Sequence, residues 1–130
     1  MREGLVLVDT CAWIDFFKSQ TGSLGNQVAK LIEVNQAAIT DVVIAELLQG
    51  IKHENEGKRL QLLLKSIHYL STQDSDWLQA GQLAQQLRKK GLTLPLTDVL
   101  IATIAQRYAV PVLTVDKHFQ YLPVVCYGEF

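Results

Sequence analysis

The chain contains two runs that are apolar except for Thr114, and each of them is followed directly by a carboxylate. Residues 5–8 are four consecutive apolar residues followed by Asp9, and Pro111–Val115 is followed by Asp116. An unbroken apolar run is typical of a strand that is buried on both faces, as central strands of parallel sheets are. Three further strands are predicted, at Ala37–Thr40, Ile67–Leu70 and Leu122–Tyr127.

The segments between these runs carry the three- and four-residue spacing of helices. Ser23 is a suitable N-cap for a helix whose apolar face is formed by Leu24, Val28, Leu31 and Ile32. The helix that starts at Asp98 is apolar nearly all round, which predicts that it is buried. Further helices are predicted at Ala12–Lys18, Val42–Ile51, Asn55–Ser66 and Asp74–Lys90, the last with an inner face of Trp77, Ala80, Ala84 and Leu87.

The alternation of strands and helices predicts the fold class. Right-handed βαβ units stack helices on both faces of a parallel sheet, so we expect a three-layer α/β/α sandwich. A length of 130 residues fits one domain, 1–130, with a core of its own.

Composition predicts a cytoplasmic protein that does not enter the membrane. No apolar run approaches the roughly 20 residues that a spanning helix needs, and no export signal is visible. Cys11 and Cys126 are far apart and form no metal-binding pair, so we expect both to be reduced. The net charge of −1 is not the basic excess usual in nucleic-acid binders. The local basic clusters, residues 52–65 and 88–90, are more typical of solvated helix faces.

Four carboxylates are placed where a parallel sheet concentrates its ligands, outside the carboxyl ends of the strands. Asp9 and Asp116 end strands, Glu46 lies in the helix after the second strand, and Asp98 opens the buried helix. Each has a structural alternative, since Asp is a favoured helix cap and Glu46 could be an ordinary surface acid. Four such placements together favour a shared site over four separate structural roles.

Clustered carboxylates have a chemical requirement. Like charges within a few ångströms disfavour joint ionisation, so such a cluster needs compensating positive charge. Hard divalent cations bound through oxygen, Mg²⁺ or Mn²⁺, supply that charge and keep water ligands for a substrate phosphate. Metal ions in such sites activate water and stabilise a leaving oxygen. The four acids therefore predict metal-assisted phosphoryl chemistry.

Four stretches at domain-wide spacing resemble the PIN-domain family, and within it the small stand-alone VapC-type toxins. They are residues 8–17, Glu46 with Gly50, residues 97–102 and residues 113–119. The resemblance implies a metal-dependent endoribonuclease that acts on RNA, with five parallel strands. It also implies homodimers and inhibition by a small antitoxin protein. It assigns the acidic set to Asp9, Glu46, Asp98 and Asp116, with Thr114 as a hydroxyl beside the metal.

The sequence departs from the family pattern at two positions, and two alternative functions are considered. Cys11 stands where Ser or Asn is commoner, and Val115 where a polar residue is common. A haloacid-dehalogenase-like phosphatase needs a second Asp two residues after the first, and that place is Cys11. A non-enzymatic interaction module of the PIN fold is the other alternative. His53, His68 and His118 show no metal-ligand spacing and are interpreted as surface or packed residues.

Overall fold

The computed structural model describes residues 4–18 and 22–128 and has a parallel sheet at its centre. All pairs are parallel and the strand order is β3-β2-β1-β4. The predicted parallel α/β architecture is thereby confirmed. The strands are β1 (Val6–Val8), β2 (Ala37–Thr40), β3 (His68–Leu70) and β4 (Val112–Leu113).

Helices cover the sheet. Every residue of β1, β2 and β4 is buried, and since successive side chains of a strand point to opposite faces, both faces must be covered. Helix α1 packs against α2, and α5 packs against α6. The helices are α1 (Thr10–Lys18), α2 (Ser23–Glu33), α3 (Asp41–Gln49), α4 (Glu54–Leu64), α5 (Asp74–Lys89), α6 (Leu96–Tyr108) and a short 3₁₀ helix (Lys117–Tyr121).

The central strand β1 pairs with β4, so the first and last of the described strands lie side by side. In β1, Leu7 lies opposite Val112 of β4, and the backbone N–H of Asp9 donates to the carbonyl of Leu113 at 3.0 Å. On its other side β1 pairs with β2. The carboxyl ends of the first and last strands therefore meet at one edge of the sheet.

The fifth strand predicted at Leu122–Tyr127 is wrong within the described residues. This segment contributes only one parallel bridge, between Cys126 and Val112. Pro123 has no N–H to donate to a ladder, and β4 offers only two residues to pair with. The 3₁₀ helix ends at Tyr121, directly before this segment, so the preceding residues cannot extend it as a strand.

Three helix details differ from the predictions. Helix α6 begins at Leu96, so Asp98 lies within its first turn. Ser23 is the first helical residue of α2 rather than its cap. Trp77, predicted on the inner face of α5, is 54% exposed, whereas Asp76 is fully buried.

A buried ion pair explains the placement of Asp76. The guanidinium of Arg107 donates to both carboxylate oxygens of Asp76, at 2.8 and 2.9 Å, and also to the carbonyl of Ser71 at 2.7 Å. The bidentate contact supplies the compensation that a buried carboxylate requires. This ion pair joins α5 to α6.

In the ranges described, no helix is both long and apolar enough to cross a bilayer.

Candidate metal centre

The four predicted acids meet at the carboxyl-end edge of the sheet. Asp9 directly follows β1 and is 4% exposed, and Asp98 is buried in the first turn of α6. Glu46 lies on α3, and Asp116 follows β4 by three residues. Their charges act on one another, since Asp98 raises the pKa of Asp9, and Asp116 and Glu46 raise the pKa of Asp98. The fold therefore brings all four carboxylates into one electrostatic cluster.

The hydroxyl of Thr114 connects two of these acids. It donates to Asp9 Oδ2 at 2.8 Å and accepts from the backbone N–H of Asp116 at 3.0 Å. Thr114 is 1% exposed, so both contacts are shielded from water. The thiol of Cys11 lies against the same pair, 3.4 Å from Thr114 Oγ1 and 3.6 Å from Asp9 Oδ2. The departure at Cys11 thus leaves a weak donor beside the cluster.

Glu46 is oriented by a residue that the sequence analysis did not single out. Thr10 Oγ1 donates to Glu46 Oε1 at 2.5 Å, across 36 residues of sequence. The one indication in the sequence that Thr10 belongs to the site was its position directly after Asp9. Because Thr10 also begins α1, this contact ties the start of α1 to α3 at the site.

A histidine contacts two of the four acids. His118 Nδ1 lies 2.8 Å from Asp98 Oδ2 and 3.1 Å from Asp116 Oδ1. Its backbone N–H donates to Asp116 Oδ1 at 2.9 Å, which makes Asp116 the cap of the 3₁₀ helix. The interpretation of His118 as a residue without a place at the site missed these contacts. The signal for it was an Asp-x-His spacing after a strand end.

Burial dominates the electrostatics of the cluster. It raises the pKa of Asp9 from 3.8 to about 6, although the Thr114 hydroxyl opposes the shift. Burial also raises the pKa of Asp98, with the hydrogen bond from His118 acting in the other direction. The hydrogen bond to Asp98 in turn raises the pKa of His118. No Lys or Arg of the described residues forms a salt bridge with the four acids.

This donor set fits a hard divalent cation. Carboxylate oxygens are the ligands that Mg²⁺ and Mn²⁺ prefer, and a partly buried acidic cluster needs the positive charge they carry. One ligand atom from each of Asp98, Asp116 and His118 lies within 4.8 Å of the others. Asp98 is therefore central to the cluster, because it contacts the histidine and feels the charge of the other three acids.

A groove runs beside Glu46, which is the one acid of the cluster among its lining residues. It has a volume of about 400 Å³ and lies among α1, α3 and α4. Three cationic side chains, Lys18, Lys52 and Arg59, line it, and the guanidinium of Arg59 lies 5.2 Å from the ring centroid of Phe17. The rest of the lining is Ile14, Phe17, Glu46, Leu47, Gly50, Ile51, Glu56 and Leu60.

Comparison with known proteins identifies relatives of this arrangement. The family model of the PIN domain matches residues 6–124. The chain is 28% identical over 120 residues to ribonuclease VapC11 of Mycobacterium tuberculosis strain H37Rv, covering 88% of this chain and 89% of that protein.

Two solved structures share the fold. One is VapBC2 from Rickettsia felis bound to a DNA fragment from its promoter, with a TM-score of 0.80, 23% identity and coverage of 97% and 99% of the two chains. The other is a toxin–antitoxin complex from Klebsiella pneumoniae, with a TM-score of 0.73, 23% identity and coverage of 96% and 99%.

Proposed function

Because this chain belongs to the PIN-domain family, we propose that it is a metal-dependent endoribonuclease that hydrolyses RNA phosphodiester bonds. The observation that carries the proposal is the convergence of Asp9, Glu46, Asp98 and Asp116 on one edge of the sheet. The curated relative with 28% identity is named a ribonuclease, which supports the reaction class. The chain acts, on this proposal, as a single nuclease domain in the cytoplasm.

The four acids would hold Mg²⁺ or Mn²⁺, and the neighbouring hydroxyls would orient them. A divalent cation supplies an acidified water and charge neutralisation at the scissile phosphate when bound. Thr114 fixes the rotamer of Asp9 and the backbone of Asp116, while Thr10 fixes Glu46. These contacts preorganise the ligands, so that little ordering is left for the moment of binding.

The groove beside Glu46 is the proposed path of the RNA backbone. The chain as a whole is slightly acidic, so phosphate attraction has to be local. Lys18, Lys52 and Arg59 provide it along the groove wall, and the stacking of Arg59 over Phe17 restrains that cation. Phosphates drawn along these side chains arrive at the acidic cluster.

A small antitoxin is the proposed protein partner and would occupy the same groove. The Rickettsia and Klebsiella complexes with this fold contain a VapB or other antitoxin partner, which supports such a pairing. The α3–α4 region offers apolar surface for it, since Leu48 of α3 and Leu62 of α4 are both exposed. A basic side chain of the antitoxin placed against Glu46 would satisfy the charge imbalance that otherwise attracts metal.

We also propose a homodimer. Trp77, Leu78 and Leu96 form an apolar surface where α5 meets the start of α6, and all three are at least half exposed. An exposed apolar patch of large side chains is typical of an association surface. Light scattering should give a dimer mass for the parent and a monomer mass for Leu78→Glu. A monomeric parent at micromolar concentration would contradict the proposal.

Cleavage of RNA by the purified protein tests the enzymatic function. We expect cleavage with Mg²⁺ or Mn²⁺, none with EDTA, and loss of most activity in Asp98→Asn, which removes a charge but keeps size. Asp74→Asn changes an exposed acid of α5 that is not one of the four clustered acids; it is the matched control and should cleave normally. Equal activity of Asp98→Asn and the parent would reject the assignment. Inactivity of every variant would favour the interaction-module alternative.

Expression in a bacterial host tests the toxin assignment separately. The parent should arrest growth, Asp98→Asn should not, and co-expression of an adjacent small open reading frame should relieve the arrest. Normal growth with abundant soluble and active parent protein would leave a nuclease that is not a toxin.

A further inference from the structure

We propose that the imidazole of His118 binds the divalent cation directly, beside Asp98 and Asp116. The centre is then a mixed nitrogen–oxygen site rather than an all-carboxylate one. This inference rests on the proposed metal centre and adds to it a ligand that the acidic set does not include.

The distances are those expected for neighbouring ligands of one ion. Ligand atoms about 2.1 Å from a six-coordinate ion lie about 3 Å apart when they occupy adjacent positions. His118 Nδ1 lies 2.8 Å from Asp98 Oδ2 and 3.1 Å from Asp116 Oδ1. All three ligand atoms fall within 4.8 Å of one another. An ion bound by the two carboxylates would therefore have Nδ1 within its reach.

Backbone structure holds the ring in this position. The N–H of His118 donates to Asp116 Oδ1, and the next residue, Phe119, is 1% exposed in the core. The ring itself is 42% exposed as a side chain, so it has access to solvent ions. Because the surrounding core does not depend on the ring, its replacement should leave the fold intact.

The chemistry of imidazole gives the site a preference. Carboxylates suit both Mg²⁺ and Mn²⁺, but a nitrogen ligand favours first-row transition metals over Mg²⁺. Nδ1 donates a hydrogen bond to Asp98 when no cation is bound. Binding of the cation would release this proton, leaving the neutral tautomer with hydrogen on Nε2 and the lone pair of Nδ1 directed at the ion. His118 should therefore strengthen the binding of Mn²⁺ more than that of Mg²⁺.

Pulsed electron paramagnetic resonance of the Mn²⁺-loaded protein tests the inference without measuring activity. We expect a modulation from directly bound nitrogen in the parent and its loss in His118→Ala and His118→Gln. The chain has two other histidines, and His53→Ala and His68→Ala are matched controls that should keep the signal. Circular dichroism verifies that every variant is folded.

Metal titration provides the second measurement. His118→Ala should weaken Mn²⁺ binding at least about tenfold, the smaller loss seen even for residues that only support ligands, with less change for Mg²⁺. A nitrogen signal that is absent from the parent or survives in His118→Ala would overturn the inference, as would equal or tighter Mn²⁺ binding by that variant. If the parent bound Mn²⁺ without the signal, only His118 would be rejected. A parent that bound no Mn²⁺ would reject the metal centre as well.

Discussion

The side-chain hydroxyl of Thr114 donates a hydrogen bond to Asp9 Oδ2 at 2.8 Å, across 105 residues of sequence. The hydroxyl oxygen of Thr114 also accepts a hydrogen bond from the backbone N–H of Asp116. We predict that Thr114→Val, which keeps the shape but removes the hydroxyl, lowers Mn²⁺ affinity and RNA cleavage about 10- to 100-fold. Calorimetric titration and a cleavage assay measure the two effects. Thr114→Ser keeps the hydroxyl and should behave as the parent; a Val variant that equals it would contradict the role of this contact.

Metal binding should stabilise the folded protein. An ion that binds only the folded state adds about 2.7 kcal/mol to the free energy of unfolding at a concentration one hundred times its dissociation constant. We therefore expect millimolar Mn²⁺ to raise the melting temperature, and Asp116→Asn to show a smaller rise. Differential scanning calorimetry with and without EDTA measures the increment. Identical melting curves in both solutions would be evidence against the centre.

The metal-free protein should show the pH dependence of a buried acid. The pKa of Asp9 is about 6 in the folded protein, against an ordinary value of 3.8. Between pH 3.8 and about pH 6 the folded state therefore binds more protons than the unfolded state. The free energy of unfolding should fall as the pH rises through this range. Each unit of pKa difference corresponds to about 1.4 kcal/mol.

Urea denaturation in EDTA at several pH values measures this slope. Asp9→Asn should have a shallower one, with the remainder due to Asp98, whose pKa is also raised. Parallel slopes for the parent and the variant would show that Asp9 titrates as an ordinary exposed acid.

The ion pair between Arg107 and Asp76 should be important for stability. Removing one partner of a buried pair typically costs about 3–5 kcal/mol, because the other charge stays buried without compensation. We expect Arg107→Met to lower the free energy of unfolding by about that much. Lys58→Met, which breaks the exposed pair with Glu54, is the control and should have little effect. Similar losses in the two variants would contradict the distinction.

The sequence predicted those features that depend on burial and strand ends. The apolar run at β1 was predicted to be a central strand, and β1 has a neighbouring strand on each side. The run Pro111–Val115 was predicted to be a second central strand. It contains the buried strand β4, which lies at the outer end of the strand order. Carboxylates after the strands predicted the site edge, since parallel topology brings those ends together. The acids lie there, and their roles as metal ligands are predictions that the experiments above test.

Other features depend on partners that are distant in sequence. Asp76 is buried because of Arg107, 31 residues away, whereas a helical pattern places a polar residue outside. His118 reaches Asp98 only because a 3₁₀ turn follows Asp116. The prediction of a fifth strand was wrong for a related reason. A segment that tends to be extended also needs a strand to pair with, and the neighbouring β4 is only two residues long.

The strand order has a consequence for the timing of synthesis. Among the described residues, strand β4 is the last to be translated and lies beside β1, the first. Asp98, Thr114 and Asp116 all belong to the final third of the 130 residues. A nascent chain therefore carries Asp9 and Glu46 without an assembled centre. Because domains generally fold as units, the complete cluster forms only once translation of the domain is nearly finished. On the proposed function, the cleavage centre is therefore completed only after most of the domain has been translated.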